Sequence, residues 1–329
     1  MLQRCHATHN PAMKIKYASD TPHGEIEAQI FAQGADEIAS DGKHLAGLWF
    51  SHTPVHDGQQ VGAIGACQLP DAPSASEFLT QCADHLHAKH GCKNIVGPMN
   101  GNTWLKHRLL LESNGRPAFA MEPMEPEHYL HAFTNAGFNI LSRYSSSTID
   151  LQSEQRSFKG LEDKLVKKGI LFRNIKPKQY EQDLEAIHRL SLISFANNFL
   201  YTPLPLNAFM QTYQKAKDNI DIDMVILAEW HGKLVGFVFC MPDQSTETPD
   251  APKTLIVKTL AVDPHARLAG LGSILVAKAH LMAQSKGYHE AIHALQHENN
   301  SSLRISQRFD AKVFRRYALV VKSYTNHPE

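Results

Sequence analysis

The chain has 329 residues, of which 43% are hydrophobic and 20% charged, the profile of a globular protein of roughly two domains. Lys+Arg and Asp+Glu are both 33, which argues against a general polyanion binder and against a charged tail. The balance hides a split: residues 1–160 carry 12 basic and 16 acidic side chains, residues 161–329 carry 21 and 17, so a polyanionic ligand finds its better host in the second half.

No uninterrupted apolar run approaches the ~20 residues that span a bilayer, and Met1–Pro11 is polar and His-rich, without the apolar core of a secretory signal. The five cysteines are odd in number and contain no CxxC, so neither a disulfide scaffold nor a cysteine zinc site is expected, and a reducing cytoplasm is the expected compartment. Residues 1–12 read as a disordered extension ahead of a strand that starts at Met13-Lys14-Ile15-Lys16.

Along the chain, Glu25–Ala39 reads as a helix, with Ile26, Ile30, Phe31 and Ile38 on its apolar side. Leu45–Ser51 and Gln60–Leu69 read as strands around the His56-Asp57-Gly58 turn. Ser74 or Ser76 is expected to cap a helix that runs to His90 and stops at Gly91. Asn94–Met99 reads as a strand, Asn102–Leu111 and Glu127–Ala136 as helices, and Phe138–Leu151 as a long strand. The polar stretch Gln152–Lys168, with room for one short helix, marks the expected boundary between a domain at 13–152 and one at 170–329, with 153–169 as linker. Beyond it come a strand at Ile170–Ile175, helices at Gln179–Phe195 and Leu206–Lys217, and a hairpin of Met224–Trp230 with Leu234–Met241. Strand Thr254–Val262, helix Leu271–Lys286, strand Glu290–Leu295, helix Ser301–Phe309 and strand Val313–Lys322 complete the chain. The two halves repeat much of one element order, which fits a tandem duplication rather than a solenoid.

The informative stretch is Thr254–Gly287. Its strand ends at Asp263-Pro264, the loop Arg267-Leu268-Ala269-Gly270-Leu271-Gly272 follows, and Ile274, Leu275, Leu281 and Met282 recur at helical spacing. A Gly-rich turn into a helix start leaves backbone N–H groups unpaired in one concavity, and the helix adds about half a positive charge. This is a phosphate or pyrophosphate cradle, with Arg267 as a charge-assisted partner. It is not a dinucleotide fingerprint, since the third glycine and the ribose-binding acid are missing, and it is not a P-loop, since no Gly-Lys-Ser/Thr closes it.

The segment resembles the GCN5-related N-acetyltransferase (GNAT) superfamily, whose Arg/Gln-x-x-Gly-x-Gly/Ala loop follows the fourth strand; Arg267, Gly270 and Gly272 match it. Thr259-Leu260-Ala261-Val262-Asp263-Pro264 is similar to the strand that leads into that loop. Glu298-Asn299-Asn300-Ser301-Ser302-Leu303-Arg304 resembles the family's Asn-x-x-Ala/Ser before a helix, and Phe314-Arg315-Arg316-Tyr317 its closing strand. The resemblance covers roughly 170–322 and implies an α/β (α+β) fold with a mixed, mostly antiparallel twisted sheet flanked by helices. It implies acyl transfer from acetyl-CoA, or another acyl-CoA, to the amine of a small-molecule or amino-acid-like acceptor. Cofactor contacts carried over by position fall on Leu260, Ala261, Val262, Arg267, Leu268, Ala269, Gly270, Leu271, Gly272, Ser273, Asn299 and Asn300.

This sequence departs from the family where the proton chemistry is done. A Tyr seven residues after the Asn acts in many members as acid for the leaving thiolate; the position is Ser306 counted from Asn299, or Gln307 counted from Asn300. Where some members carry a Glu base early in the fourth strand, Ile256 stands here, and Lys258 is that strand's only charged side chain. Lys258 either snorkels to solvent or is a partly desolvated functional amine. His293 is either a base or acceptor contact, or a core histidine. Lys258, His293 and Ser306 are therefore the candidate catalytic residues.

The first half is similar to the N-terminal part of certain uncharacterised bacterial acyltransferase-like proteins, through Gly97-Pro98-Met99-Asn100-Gly101-Asn102-Thr103-Trp104 and Arg116-Pro117-Ala118-Phe119-Ala120-Met121-Glu122-Pro123. Phe133-Thr134-Asn135-Ala136-Gly137-Phe138 resembles the end of an acetyltransferase domain, but the would-be cofactor loop Asp71–Ser76 has no glycine. A degenerate GNAT-like sister domain that has lost coenzyme A binding is the expectation. Glu122 and Trp104, with Asn100, Asn102 and Arg116, either cap turns and anchor the fold or line an acceptor pocket, Glu122 then pairing an amine.

His85, His87 and His90 read as a solvated helix face and His289, His293 and His297 as strand and loop, so no metal is expected. No nucleic acid or membrane is expected as partner, and the sequence leaves the oligomeric state open. Two other readings stay open: a non-catalytic coenzyme A-binding sensor, and a transferase that uses aminoacyl-tRNA, against which the absence of a Lys/Arg stripe counts.

Overall fold

The computed structural model describes residues 12–22, 24–153, 157–215, 217, 221–245 and 253–324. The expected N-terminal extension therefore lies, but for its last residue, outside the described residues. Among them, no helix is long and apolar enough to cross a membrane.

In chain order the elements are β1 (Lys14–Tyr17), α1 (Glu25–Ala32), β2 (Glu37–Ser40), β3 (Leu45–Trp49), β4 (Val55–His56), β5 (Gln59–Gln60), β6 (Gly62–Gln68), α2 (Ala72–His90), β7 (Asn94–Gly97), β8 (Leu109–Ser113), α3 (His128–Asn135), β9 (Asn139–Asp150) and α4 (Lys159–Lys167). There follow β10 (Ile170–Asn174), α5 (Tyr180–Ser194), α6 (Leu206–Lys215), β11 (Val225–Trp230), β12 (Lys233–Pro242), β13 (Thr254–Val262), α7 (Leu271–Ser285), β14 (Glu290–His297), α8 (Ser301–Gln307) and β15 (Lys312–Ser323).

Two expectations fail locally. Glu25–Ala39 is not one helix, because the chain turns after Ala32, with Gly34 at positive φ, and Glu37–Ser40 pairs with strands on both sides. Asn102–Leu111 is not helical: Asn102 Oδ1 accepts from Trp104 N at 2.9 Å, Met99 bridges His107, and the chain enters β8. Asx-type side-chain bonds compete with helix formation in this way. At α2 the cap is Asp71, which accepts from Ser74 N, while Gly91 ends the helix in the left-handed conformation as expected.

The chain forms two compact units. The first holds residues 1–111, 123–142 and 317–329; the second holds 112–122 and 143–316. The expected 13–152 and 170–329 division is thus crossed three times. Most of β9 belongs to the second unit, the end of β15 to the first, and segment 112–122 is a strap of first-half sequence in the second. Polarity marks a loop, but it does not say which sheet a strand joins.

In the first unit, β1, β2, β3 and β6 pair antiparallel, β6 and β7 parallel, and β7 antiparallel with the Val320–Ser323 end of β15. Phe78, Leu79 and Leu86 of α2 and Phe133 of α3 pack there with Ile64, Ile95 and Val320.

In the second unit, β10–β13 form an antiparallel run, β13 and β14 are parallel, and β14 pairs antiparallel with β9. Alternate residues face opposite sides. One side packs Ile274, Leu275 and Ala279 of α7 on Val238, Leu255 and Ala291. The other packs Leu184, Ile187 and Leu190 of α5 and Phe209 of α6 on Leu227, Phe237 and Ala261. Stretch 153–169, read as linker, contains α4, whose Leu165 joins the α7 core.

Candidate active site

β13 and β14 are paired only from Thr254/Glu290 to Val257/His293. Beyond that point β14 keeps its β9 partner through a register shift between His293 and Gln296, with Leu295 at φ 55°. Lys258–Val262 keep β12, and among the described residues no strand pairs with their other edge. The strands diverge into a cleft with one open edge, onto which an extended ligand can add like a further strand. Lys258 sits at the mouth, at a second register shift where Phe239 pairs Thr259 and Cys240 pairs Val257. Such bulges re-aim a side chain beside a site.

The loop after β13 is built by local bonds. Asp263 Oδ1 accepts from His265 N at 2.8 Å and Asp263 O from Ala266 N at 3.3 Å. Arg267 and Gly270 then take positive φ, 49° and 85°, before α7 begins. Leu271 N donates to Leu268 O and Ile274 N to Gly270 O. Among the described residues, the amides of Arg267, Leu268, Ala269, Gly270, Gly272 and Ser273 have no acceptor.

The two glycines differ in use. A Cβ on Gly272 would lie 2.9 Å from Ile305, 3.6 Å from Leu260 and 3.7 Å from Val262, so the glycine lets the first turn of α7 pack closely on the side chains of β13 and α8. A Cβ on Gly270 would instead lie 2.6 Å from Leu161 of α4. Gly270 supplies a turn conformation and admits a leucine from α4, rather than opening the loop to a ligand on that side.

Two exposed guanidinium groups belong to this end. Arg267 has no acidic partner among the described residues. Arg308, after α8, donates from Nη1 to Ser273 Oγ at 3.0 Å and likewise lacks one. Arg308 escaped the sequence reading because no motif marks a residue whose place depends on how α8 meets α7. Of the asparagines, Asn300 spends its side chain capping α8 through Ser302 N, whereas the exposed Asn299 side chain has no partner among the described residues. Val262 N, expected to face the cofactor arm, lies 3.3 Å from Ser194 Oγ.

His293 and Ser306 come together. His293 Nδ1 is 2.7 Å from Ser306 Oγ, and its Nε2 is 3.0 Å from Nε2 of His280 on α7. Ser306 Oγ also accepts from Gln296 Nε2 at 2.8 Å and donates to Ser302 O at 3.1 Å. His280 Nδ1 is buried without a partner. An orphan acceptor is tolerated better than an orphan N–H. The network therefore assigns the proton of His280 to Nε2, donating to His293, which in turn donates from Nδ1 to Ser306. Burial pushes His280 down to about 4 and, with His280 beside it, holds His293 well below its ordinary value, so both rings are neutral near pH 7. Neither ring has a free nitrogen facing the cleft with which to take an acceptor's proton. No sequence signal marks His280: the helical spacing of Ile274, Leu275, Leu281 and Met282 reads as the buried side of α7, but Leu281 is exposed and His280 is buried.

Lys258 is different. Its Nζ lies 3.4 Å from Met121 Sδ and 5.9 Å from the Phe239 ring centre, with no carboxylate partner among the described residues. The side chain reaches solvent, yet the surrounding protein holds its pKa below the usual lysine value. Glu122 has its carboxylate buried against Arg315, which commits it to holding the strap. Trp104 lies in the first unit, as does Asp71, whose carboxylate caps α2 and pairs with Lys43. Lys43 and Ser74 hold Asp71 below the usual carboxylate range, so a fixed negative group occupies the helix start that a cofactor phosphate would need.

The geometry of the second unit agrees with what sequence comparison finds. Residues 185–310 match the model of the acetyltransferase (GNAT) family. Residues 185–310 are a GNAT-family domain. The solved GCN5-related N-acetyltransferase from Sphaerobacter thermophilus is 14% identical, with TM-score 0.51 over 93% of this chain and 88% of that one. A GCN5-related glucosamine N-acetyltransferase region of a fungal multi-domain GH3 β-N-acetylglucosaminidase is 15% identical, with TM-score 0.53 over 95% of this chain and 38% of that one. At these identities the likeness is one of fold. No curated protein matches the sequence significantly. The matched segment takes in β13, the loop after it, α7 and β14.

Proposed function

We propose that the second unit is an acyl-CoA-dependent N-acyltransferase acting on a small amine, with acetyl-CoA as donor. The observation that carries this reading is the join of two features: an open strand edge at Lys258–Val262 and a run of unpaired amides starting at Arg267, in the loop that leaves the same strand. An extended arm ending in a pyrophosphate needs both. The amides of Leu268–Gly270, Gly272 and Ser273 would hold the pyrophosphate, with Arg267 and Arg308 as cations, and Leu260, Ala261 and Asn299 would flank the arm. When bound, acyl-CoA supplies the thioester carbonyl. The chain's own task is to place a neutral amine beside it.

Among the described residues, Lys258 is the titratable side chain at the mouth of the cleft with a lowered pKa and no carboxylate partner. It is assigned the removal of the acceptor's proton. His293 and Ser306 are positioning residues. Their buried bonds fix β14 to α8, and Ser306, which falls at the family's tyrosine position when counted from Asn299, lacks a phenol's acidity. That same deficit favours a second reading, a coenzyme A-binding module without turnover.

Binding and turnover separate the two. Acetyl-CoA is expected to raise the melting temperature of the purified chain, and a panel of amines is expected to include one that releases free thiol. No shift with any acyl-CoA would sink both readings, and a shift without turnover would leave the module.

Lys258 gives a pH signature. Its folded-state pKa lies below its unfolded one, so the unfolded chain binds more protons between the two values and the charged lysine costs stability at neutral pH. Lys258→Met is expected to melt higher than the wild type at pH 7. The gap should close as pH rises through the folded-state value toward about 10.4, where the lysine is neutral in both states. Turnover by the wild type is expected to rise over the same range and to be lost in the variant. A variant with unchanged turnover would remove Lys258 from the chemistry.

A further inference from the structure

The first unit holds a side-chain cluster that the transferase reading does not use. Glu37 lies on β2 between β1 and β3, and its carboxylate is 2% exposed as a residue. Its Oε2 is 2.7 Å from His85 Nε2 and its Oε1 3.0 Å from His90 Nε2, both rings coming from α2. The three residues offer ligand atoms that all lie within 4.8 Å of one another.

Helical spacing alone puts His87 with His90, but His90 is the last residue of α2 and swings back to join His85. His87 turns away, bonding Cys92 O at 3.0 Å and stacking on Tyr324 at 4.2 Å. His90 is held flat against Phe50, with ring centres 3.7 Å apart, and the His85 and His90 rings stand at 70° to each other. Two imidazoles at a steep angle with a carboxylate between them resemble neighbouring vertices of one coordination sphere.

The charge balance points the same way. Glu37 is a buried carboxylate that no lysine or arginine faces among the described residues, only two imidazoles. Histidine is charged over only part of the physiological pH range. A buried anion without a permanent counter-charge is costly, and a bound cation removes that cost. Neither His85 nor His90 has a protein partner for Nδ1 among the described residues, so each ring is free to move its proton there and present the Nε2 lone pair.

We propose that Glu37, His85 and His90 form a binding site for a first-row divalent cation of the zinc type, clamping β2 to the end of α2. Two imidazoles and a carboxylate suit zinc, with metal–ligand distances of about 2.0–2.2 Å, and leave a fourth position for water. Ligands at those distances stand about 3.3 Å apart around a tetrahedral ion, so the contacts of 2.7 and 3.0 Å lengthen on binding, within a set whose atoms already lie within 4.8 Å of one another. Without metal, both rings donate from Nε2 to Glu37. On binding, the ring proton is carried at Nδ1 and each Nε2 lone pair turns to the ion.

The test is a zinc titration of the full chain after chelator treatment. One equivalent of Zn2+ is expected to bind and raise the melting temperature, and His85→Gln and His90→Gln are each expected to weaken binding about tenfold or more. The chain carries 20 histidines, so equal binding by wild type and variants would assign the ion elsewhere and overturn the site. No binding by the wild type would leave a hydrogen-bonded His–Glu–His clamp only. A second measurement needs no variant. Imidazole 15N NMR of the wild type is expected to show two rings switching from Nε2–H to Nδ1–H at one equivalent of zinc. Two rings that keep Nε2–H in excess zinc would overturn the proposal.

Discussion

Replacing Arg315 by methionine is expected to remove about 3–5 kcal/mol of folding stability from the second unit. Arg315 is the largest fully buried side chain of the described residues. Its guanidinium pairs with Glu122, whose side chain is likewise inaccessible, and donates to Arg116 O and, at 3.3 Å, to Ser113 Oγ. All four residues belong to the strap and its neighbours in the second unit. Deleting the cation takes the charged partner from a buried carboxylate that also accepts from Phe119 N at 3.1 Å, and that is where the cost arises. The strap also places Phe119 against Ile256, Ile292 and Phe314, and Ala120 N on Asp243 Oδ1 at 2.8 Å. Loss of the pair therefore loosens the start of β13 and β14 as well. For a unit of this size the melting temperature should fall by on the order of 10 °C. The control is Glu122→Leu combined with Arg315→Met. It removes both charges and should recover most of the loss, because two apolar side chains replace a buried pair at little net cost. A double variant no more stable than Arg315→Met would show that the strap depends on hydrogen bonds rather than on charge balance.

The strap also shows where sequence reading stops. The second half is read closely because each element there carries its own local signal. Thr254–Val262 and the helix from Leu271 lie where hydrophobic runs and the glycine turn put them, and the Arg-x-x-Gly-x-Gly loop joins them. The first half lacks such signals in places. Ile38 fits an apolar helix face as well as a strand, and its pairing with Lys16 and Gly47 decides for the strand. Non-local pairing is the larger gap. Nothing in Ser145–Asp150 says that it will pair with Glu290–Gln296, and nothing in Val320–Ser323 says that it will pair with Asn94–Gly97. Side chains that act across such pairings are invisible for the same reason. His293 and Ser306 stand out in the sequence as isolated candidates, but His280, which sets their proton positions, does not. Gly270 was legible as necessary but not in its reason, since Leu161 comes from a stretch that reads as linker.

The sharpest test of the cofactor loop is a pair of substitutions at Gly272. Gly272→Asn and Gly272→Asp add the same volume and meet the same neighbours, with Ile305 Cδ1, the free end of a side chain, as the closest at 2.9 Å. They differ by one negative charge. In the first turn of α7 an aspartate gains about 0.3–1 kcal/mol from the helix dipole, but the position is buried among Ile305, Leu260 and Val262, so the melting temperatures of both variants are compared before their affinities. The charge opposes an anion held by the neighbouring amides of Ala269, Gly270 and Ser273. Asparagine is expected to weaken acetyl-CoA binding about tenfold through bulk beside Leu260 and Val262. Aspartate is expected to weaken it at least a further tenfold, since a like charge at contact distance costs more than 1.4 kcal/mol even at high effective dielectric. The excess loss should shrink as salt is raised from about 0.05 to 0.5 M, because the site lies near the surface and is screened. Isothermal titration of both variants at two salt concentrations gives the answer directly. Equal affinities for the asparagine and aspartate forms would mean that no phosphate sits over Gly272, and the pyrophosphate would have to be sought away from the start of α7.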